Sequence, residues 1–156
     1  ILGPINSGVT MVATSGWSTC ALMTDGTVRC FGRNAAGELG DGSFDDRSVP
    51  APIAGLDGVT HISGGIAHFC ARLVNGQVAC WGNNANRQLG DNTTTNRPYP
   101  VLVAGLTNVV RVAAGSDHTC ALRDDDTVRC WGAGSDGQQR YTRFHERGLA
   151  QLKGPT

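Results

Sequence analysis

The chain has 156 residues, with 13 lysine plus arginine residues, 13 aspartate plus glutamate residues and a formal net charge of +0 at pH 7. This length is enough for one domain with a sizeable core, and the neutral balance removes the usual electrostatic argument for a nucleic-acid or acidic-membrane partner. No apolar run approaches the roughly 18 to 20 residues of a membrane-spanning helix. We therefore expect no nucleic-acid partner and no membrane span.

The dominant feature is an internal repeat with a period of 50 residues, which organises every other prediction. Sliding the sequence by one period superposes Val9 with Val59 and Val109, and Gly32 with Gly82 and Gly132. The phase of the repeat predicts five segments: the end of a preceding repeat at 1–8, repeat 1 at 9–58, repeat 2 at 59–108, an incomplete repeat 3 at 109–139 and a divergent basic tail at 140–156.

Each repeat reads as four short strands separated by turn residues. In the second copy, VTHI is a first strand, Cys70 to Leu73 a second, Gln77 to Trp81 a third, and PYPVLV near residue 100 an outer strand. Prolines in that last segment suit only an edge strand, because proline donates no ladder hydrogen bond. The sequence predicts an all-β fold, a partial β-propeller of about three four-stranded blades, with the only helix candidate after Gly137.

A pair of cysteines brackets the second and third strands of every repeat, in CALMTDGTVRCFG at 20–32 and its two later copies. If Thr24, Asp25 and Gly26 form a three-residue hairpin loop with Gly26 left-handed, the first two cysteines face each other across the strands. The third copy has Asp126 where glycine is wanted, so we expect its hairpin to be the weakest. The predicted disulfides are Cys20–Cys30, Cys70–Cys80 and Cys120–Cys130.

Two other interpretations of the cysteines stay open from the residues alone. Buried free thiols would pack as small apolar side chains. A metal site would combine His68 with Cys70 and Cys80, but it supplies three ligands where a closed zinc site wants four, and the first repeat has Ser18 in place of the histidine. We predict disulfides, hence an oxidising compartment and an extracytoplasmic or secreted protein.

The segment from 59 to 92, with its AHFCARL, NGQVACWG and RQLGDN series, resembles the repeats of the regulator of chromosome condensation family. The resemblance covers nearly all of residues 1–138 and implies a β-propeller, typically of seven blades. The cysteine pair is similar to that of bacterial extracytoplasmic members. Three repeats do not close a ring, so the resemblance also implies a piece of a larger protein. We expect the isolated chain to self-associate, with Ile1 to Ile5 as an orphan outer strand that pairs with the third blade of a second copy.

The sequence contains none of the common catalytic motifs, and we expect no enzyme activity, no cofactor and no metal. His68 and His118 recur at one blade position, which favours a structural histidine that bonds within its own blade. Trp81, Trp131 and Phe31 recur in the same way and read as blade core. The run DGSFDDR spaces Asp41, Ser43 and Asp45 like the start of a calcium loop, but it lacks the later glycine and glutamate of that motif.

We expect the variable loops at 41–48 and 91–98 to make the functional contacts, because their sequences differ most between the copies while the flanking strands repeat. The leading hypothesis is a non-enzymatic protein-binding or surface-display module. Its alternatives are guanine-nucleotide exchange or another regulatory role, implied by the family resemblance, and an accessory domain of a secreted enzyme. The candidate binding residues are Phe44, Asp45, Asp46, Arg47, Thr94, Thr95, Asn96 and Arg97.

Overall fold

The computed structural model describes residue 5 and residues 7–134 of the chain. The predicted basic tail at 140–156 lies outside these residues, and so does all but one residue of the predicted outer strand at Ile1 to Ile5. The regular elements in the described part are the following strands: β1 (Val9–Thr14), β2 (Ser18–Met23), β3 (Val28–Gly32), β4 (Arg47–Pro52), β5 (Val59–Gly64), β6 (His68–Leu73), β7 (Val78–Gly82), β8 (Arg97–Leu102), β9 (Val109–Ala114), β10 (His118–Arg123) and β11 (Val128–Gly132).

The strands form three antiparallel sheets in which each strand pairs with its neighbour in sequence. We call them blade 1 (β1 to β4), blade 2 (β5 to β8) and blade 3 (β9 to β11). The first strands contact one another, β1 with β5 and β5 with β9, so they lie innermost. This arrangement confirms the prediction of an all-β partial propeller, with three strands of the third blade among the described residues. No helix in that part has the length and hydropathy to cross a membrane.

The proline-rich strands β4 and β8 lie at the outer edges of their blades, as the sequence predicts. Each pairs on one side only, β4 with β3 and β8 with β7. A proline at such an edge removes a donor that has no partner strand to bond. The prolines therefore mark the outer rim of the propeller.

The three hairpins have the predicted three-residue loops. In the first, Met23 N–H donates to the Thr27 carbonyl at 2.9 Å, and Gly26 N–H donates to the Met23 carbonyl at 3.0 Å. Gly26 and Gly76 have φ of 81° and 80°, and Asp126 adopts the same left-handed region at 62°. The turn geometry thus favours glycine at this position, and Asp126 is a non-glycine residue in the same conformation.

The loop register places each cysteine directly opposite its partner, and all three predicted disulfides are present. Cys20 pairs with Cys30, Cys70 with Cys80 and Cys120 with Cys130, each with a Cα–Cα distance of 4.1 Å. None of the six cysteines is free, so the structure contains neither the free thiols nor the metal ligands considered above.

The core lies between the blades, because the middle strands of blade 2 are buried on both faces. Phe69 and Trp81 pack into a cluster shared with blade 1, whereas Cys70 and Cys80 pack against Val109 and other residues of blade 3. Each blade therefore presents an aromatic face to the blade before it and a disulfide face to the blade after it. Burial on both faces explains why β6 and β7 are so apolar.

Candidate functional site

The candidate binding loops lie at one end of the propeller, which we call the loop face. Ser18 at the start of β2 pairs with Gly32 at the end of β3, so the turn at 15–17 and the loop at 33–46 leave the sheet together. Blade 2 repeats this arrangement with the turn at 65–67 and the loop at 83–96. The three-residue hairpin loops lie at the opposite end, which we call the hairpin face.

A buried asparagine organises the loop of blade 1. The side-chain amide nitrogen of Asn34, a residue with 0% exposure, donates to the Ser43 carbonyl, the Ser43 hydroxyl and the Asp45 carbonyl at 3.0 to 3.2 Å, and more weakly to Asp41 at 3.4 Å. Its carbonyl oxygen accepts from Leu39 N–H at 2.9 Å. One side chain thus holds the two halves of the loop together.

Asn84 builds the same frame in blade 2. Its amide nitrogen donates to Asp91, the Thr93 hydroxyl, the Thr93 carbonyl and the Thr95 carbonyl at 2.9 to 3.1 Å, and its oxygen accepts from Leu89 N–H at 3.1 Å. The two loops differ in sequence, but their frames use equivalent atoms 50 positions apart. We refer to them as the Asn34 frame and the Asn84 frame.

The eight predicted binding residues fall into two groups. Asp46 and Asn96 belong to the frames, because each accepts the backbone N–H of the central asparagine, at 2.8 and 2.9 Å. Arg47 and Arg97 form ion pairs with the frame aspartates at 3.2 and 2.8 Å. The remaining four side chains are exposed at the loop tips: Phe44, Asp45, Thr94 and Thr95.

The frame carboxylates are held in their ionised form. Although partial burial raises the pKa of Asp91, hydrogen bonds from Thr93, Arg97 and Asn84 outweigh this effect and lower the pKa to about 2. Burial also opposes ionisation of Asp41, and hydrogen bonds from Ser43 with the charge of Arg47 lower its pKa. Both frames are therefore complete at neutral pH.

The calcium-like spacing of Asp41, Ser43 and Asp45 has a different explanation in the structure. Oxygen atoms from all three residues converge on the Asn34 amide nitrogen, which occupies the position that a bound cation would take. Across residues 7–134, no group of three histidine, cysteine, aspartate or glutamate residues is placed to hold a metal ion. The spacing serves a hydrogen-bonded frame.

Each loop is also hydrogen-bonded to the following blade. Glu38 and Gln88, buried in the turns that precede the loop tips, each offer a backbone carbonyl that accepts an indole N–H from the next blade at 2.8 Å, from Trp81 and Trp131 respectively. Gly42 N–H donates to the Pro98 carbonyl of blade 2 at 2.7 Å. Trp81 is thus a core residue, as predicted, and it additionally joins two blades.

The structure corrects the prediction for His68. Its ring is fully buried, but Nε2 lies 3.0 Å from the Thr119 hydroxyl of blade 3, so the histidine bonds between blades and not within its own. The partner could not be read from the repeat, because the contact joins residues 51 positions apart and Thr119 has Thr19 and Phe69 as its counterparts.

Two exposed apolar residues on the loop face were missed by the sequence analysis. Trp17 is 76% exposed and Ile66 is 56% exposed, and Gly16 N–H donates to the Ile66 carbonyl at 2.7 Å, so their turns adjoin. Trp17 also lines a cleft of about 550 Å³ with Phe31, Asp46 and Arg47. The sequence signal that could have revealed them is a large apolar residue in the turn between the first two strands of a repeat, where the other copies have small or polar residues.

Two sequence models of the regulator of chromosome condensation (RCC1) repeat match the chain, one at residues 25–72 and 75–122 and the other at 9–38, 59–88 and 109–138. No curated protein sequence matches the chain.

The fold is similar to human WBSCR16, with a TM-score of 0.73 and 25% identity over 83% of this chain and 34% of that chain. Prp20p from Saccharomyces cerevisiae is similar with a TM-score of 0.72 and 26% identity over 92% and 36% of the two chains. Yeast Prp20 bound to Kap60 gives a TM-score of 0.69 and 23% identity, over 84% and 31%. This chain therefore spans about a third of the length of these structures.

The matches of each repeat model together cover more than half of the chain, and those of the second model each begin at the first strand of a blade. The chain belongs to the regulator of chromosome condensation (RCC1) repeat family.

Proposed function

We propose that this chain is a non-enzymatic protein-binding module that acts through the tips of its loop-face loops. The observation that carries this proposal is the contrast between frame and tip. The Asn34 and Asn84 frames use equivalent bonds, while the displayed side chains change from Phe44 and Asp45 to Thr94 and Thr95. A constant frame with variable tips is the arrangement expected of a recognition surface.

The physical advantage of the frame is preorganisation. A loop that is already ordered loses less conformational freedom on binding, so more of the contact energy appears as affinity. Phe44 is 53% exposed at a tip, and aromatic side chains are frequent anchors of protein interfaces. Trp17 and Ile66 extend the same face with further exposed apolar area.

We further propose that the module works in an extracytoplasmic or secreted setting. Three disulfides persist most readily in an oxidising compartment. Each of them closes a short loop within one hairpin, for which the chain-entropy model gives roughly 2 to 3 kcal/mol of stabilisation. The structure is compatible with this setting.

A regulatory role is the second candidate, and family membership favours it. Prp20p, 26% identical to this chain, is described by its binding to Gsp1p and histones. Binding of those two proteins by this chain would support a guanine-nucleotide exchange or related regulatory function. Since the chain spans about a third of Prp20p, that function is here a candidate and not a conclusion.

The test compares two variants in affinity capture from the native compartment. The tip variant F44A/D45A/T94A/T95A removes the displayed side chains and leaves both frames intact. The control D57A/V74A removes one acidic and one apolar side chain that are exposed at the hairpin end of the blades. Thermal melting first establishes that both variants fold.

We expect the wild type and the control to capture the same proteins, and the tip variant to lose them by at least about tenfold, which corresponds to 1.4 kcal/mol. Equal capture by all three would overturn the proposal. Purified Gsp1p and histones, tested in parallel for direct binding, distinguish the regulatory candidate.

A further inference from the structure

A chain of hydrogen bonds joins blade 2 to blade 3 through a fully buried site. The His68 Nε2 atom lies 3.0 Å from the Thr119 hydroxyl, and that hydroxyl donates to the Gln88 carbonyl at 3.0 Å. The same carbonyl accepts from Trp131 Nε1 at 2.8 Å. His68 and Gln88 belong to blade 2, whereas Thr119 and Trp131 belong to blade 3, so this network forms part of the joint between them.

The network fixes the tautomer of His68. The Thr119 hydroxyl has a single hydrogen, which it gives to the Gln88 carbonyl, so it must accept a hydrogen from Nε2. Nδ1 then carries the lone pair, and this buried atom has no hydrogen-bond partner. Gly65 closes over that edge of the ring, since a Cβ there would overlap both the ring and the Gly115 carbonyl.

The surroundings offer nothing to stabilise a proton on Nδ1. Burial, together with the charge of His118 at the start of β10, lowers the pKa of His68 to about 4. Asp117 lies 3.4 Å from the Gln88 amide and does not bond the ring. On the inner strands, His61 of β5 faces Arg72 of β6 and Arg111 of β9, which add further positive charge to this joint.

The joint between blades 1 and 2 lacks the histidine and the threonine of this hydrogen-bond network. Its equivalent positions hold Ser18 and Phe69, so no ionisable side chain replaces His68 and no hydroxyl replaces Thr119. Phe69 instead stacks with Trp81 at a ring-centroid distance of 5.9 Å. Two joints of similar architecture thus differ in whether a buried histidine lies in them.

We propose that the joint between blades 2 and 3 is an acid-sensitive switch, in which protonation of His68 Nδ1 loosens blade 3 from blade 2 while blades 1 and 2 stay together. The added proton would create a buried Nδ1–H without an acceptor and a positive charge without a counter-ion. Opening the joint exposes the ring to water and removes both penalties.

The direction with pH follows from the two pKa values. In the open joint His68 titrates near its ordinary value of 6.5, and in the closed joint near 4. Between these values the open form binds one more proton, so the opening constant rises by up to about tenfold for each pH unit of acidification. Well above pH 6.5 neither form is protonated, and the opening constant is independent of pH.

Hydrogen exchange of the full chain, with its disulfides intact, tests this inference at pH 7.5, 6.0 and 5.0 after correction for intrinsic rates. The reporters for the acid-sensitive joint are the amides of Ile66, which donates to the Ser116 carbonyl, and Ala114, which donates to the Ser63 hydroxyl. The internal control is the amide of Val59, which donates to the Gly26 carbonyl of blade 1.

Three variants identify the group responsible. H68Q keeps a side-chain N–H donor for Thr119 but carries no charge, so its opening constant should lose most of its dependence on pH. H61Q removes the other histidine of this joint whose pKa burial lowers, and it should keep the wild-type response. Should H68Q fold poorly, H68S/T119F copies the Ser18 and Phe69 pair of the first joint and should likewise lose the response.

The expected wild-type result is acid-enhanced exchange at Ile66 and Ala114, about sevenfold between pH 6.0 and 5.0, with Val59 unchanged. The inference is overturned if both joints respond equally, if neither responds, or if the response persists in H68Q or disappears in H61Q.

Discussion

Gly65 and His68 show how one side chain restricts the residue type at a nearby position. The His68 ring occupies the space into which a Cβ on residue 65 would project, and Gly115 stands in the same relation to His118. Blade 1 has serine at both equivalent positions, Ser15 and Ser18. The chain therefore pairs glycine with histidine, and serine with serine, for a steric reason that the structure supplies.

The substitution G65S should destabilise the protein by roughly 2 to 3 kcal/mol, because the added Cβ overlaps the His68 ring in a packed joint. The double variant G65S/H68S reproduces the pair found in blade 1 and should recover part of that loss, because it removes the overlap with the ring but leaves the overlap with the Gly115 carbonyl. Urea unfolding of both variants measures the difference. A double variant less stable than G65S alone would contradict the steric explanation.

Asp126 is the second position at which a single residue determines local stability. Its φ of 62° lies in the left-handed region, where Gly26 and Gly76 serve the other hairpins. We expect D126G to stabilise the chain by up to about 1 kcal/mol, less what the added flexibility of the unfolded chain removes.

The matched change in the opposite direction is G26D, which should destabilise the first hairpin by a similar amount. Thermal unfolding of the two variants gives the comparison. A loss of stability in D126G would mean that the aspartate side chain contributes more than its backbone strain costs.

The elements of the fold were predictable to different degrees. The hairpin loops and their disulfides followed from the sequence because they depend on local spacing, as between Cys70 and Cys80. The partner of His68 did not, since it lies in the next blade. The loops at 41–48 and 91–98 were recognised as variable, but their constant frames were overlooked, although Asn34 and Asn84 recur at the repeat period.

The Asn84 frame makes the stability of the blade 2 loop depend on one buried side chain. In N84A the Leu89 N–H and several acceptor oxygens lose a buried partner, so we expect a loss of roughly 3 kcal/mol or more. The control N86A changes an exposed asparagine three positions from Leu89 and should stay within about 0.5 kcal/mol of wild type. Denaturant titration provides both values, and equal stability of the two variants would refute a structural role for the frame.

At the scale of the whole molecule, the two outermost blade faces differ from the internal joints. On blade 1, Trp17 and Phe31 line an open cleft, whereas the equivalent face of blade 2 is covered by blade 1. On blade 3, no following blade covers the disulfide face within the described residues, so Cys120 and Cys130 are only half-buried, whereas the cysteines of blades 1 and 2 are fully buried. Within the described residues nothing covers either face, and apolar surfaces of this kind drive association.

We therefore expect the 156-residue chain to self-associate, with rings of two chains that supply six blades as the favoured product. Sedimentation velocity over a hundredfold range of concentration should show a concentration-dependent rise in mass. W17S, which removes the most exposed aromatic side chain of the blade 1 face, should shift that rise to higher concentration. A concentration-independent monomer would contradict this prediction.

Each blade is a repeat whose disulfide lies within its own hairpin, and a tryptic peptide map under non-reducing conditions tests this pairing. Arg29, Arg72 and Arg123 each lie between the two cysteines of one pair, so trypsin separates the partners and leaves them joined only through sulfur. We expect three linked peptide pairs, Cys20 with Cys30, Cys70 with Cys80 and Cys120 with Cys130. Six free thiols in protein from its native compartment, or bridges between different blades, would contradict it.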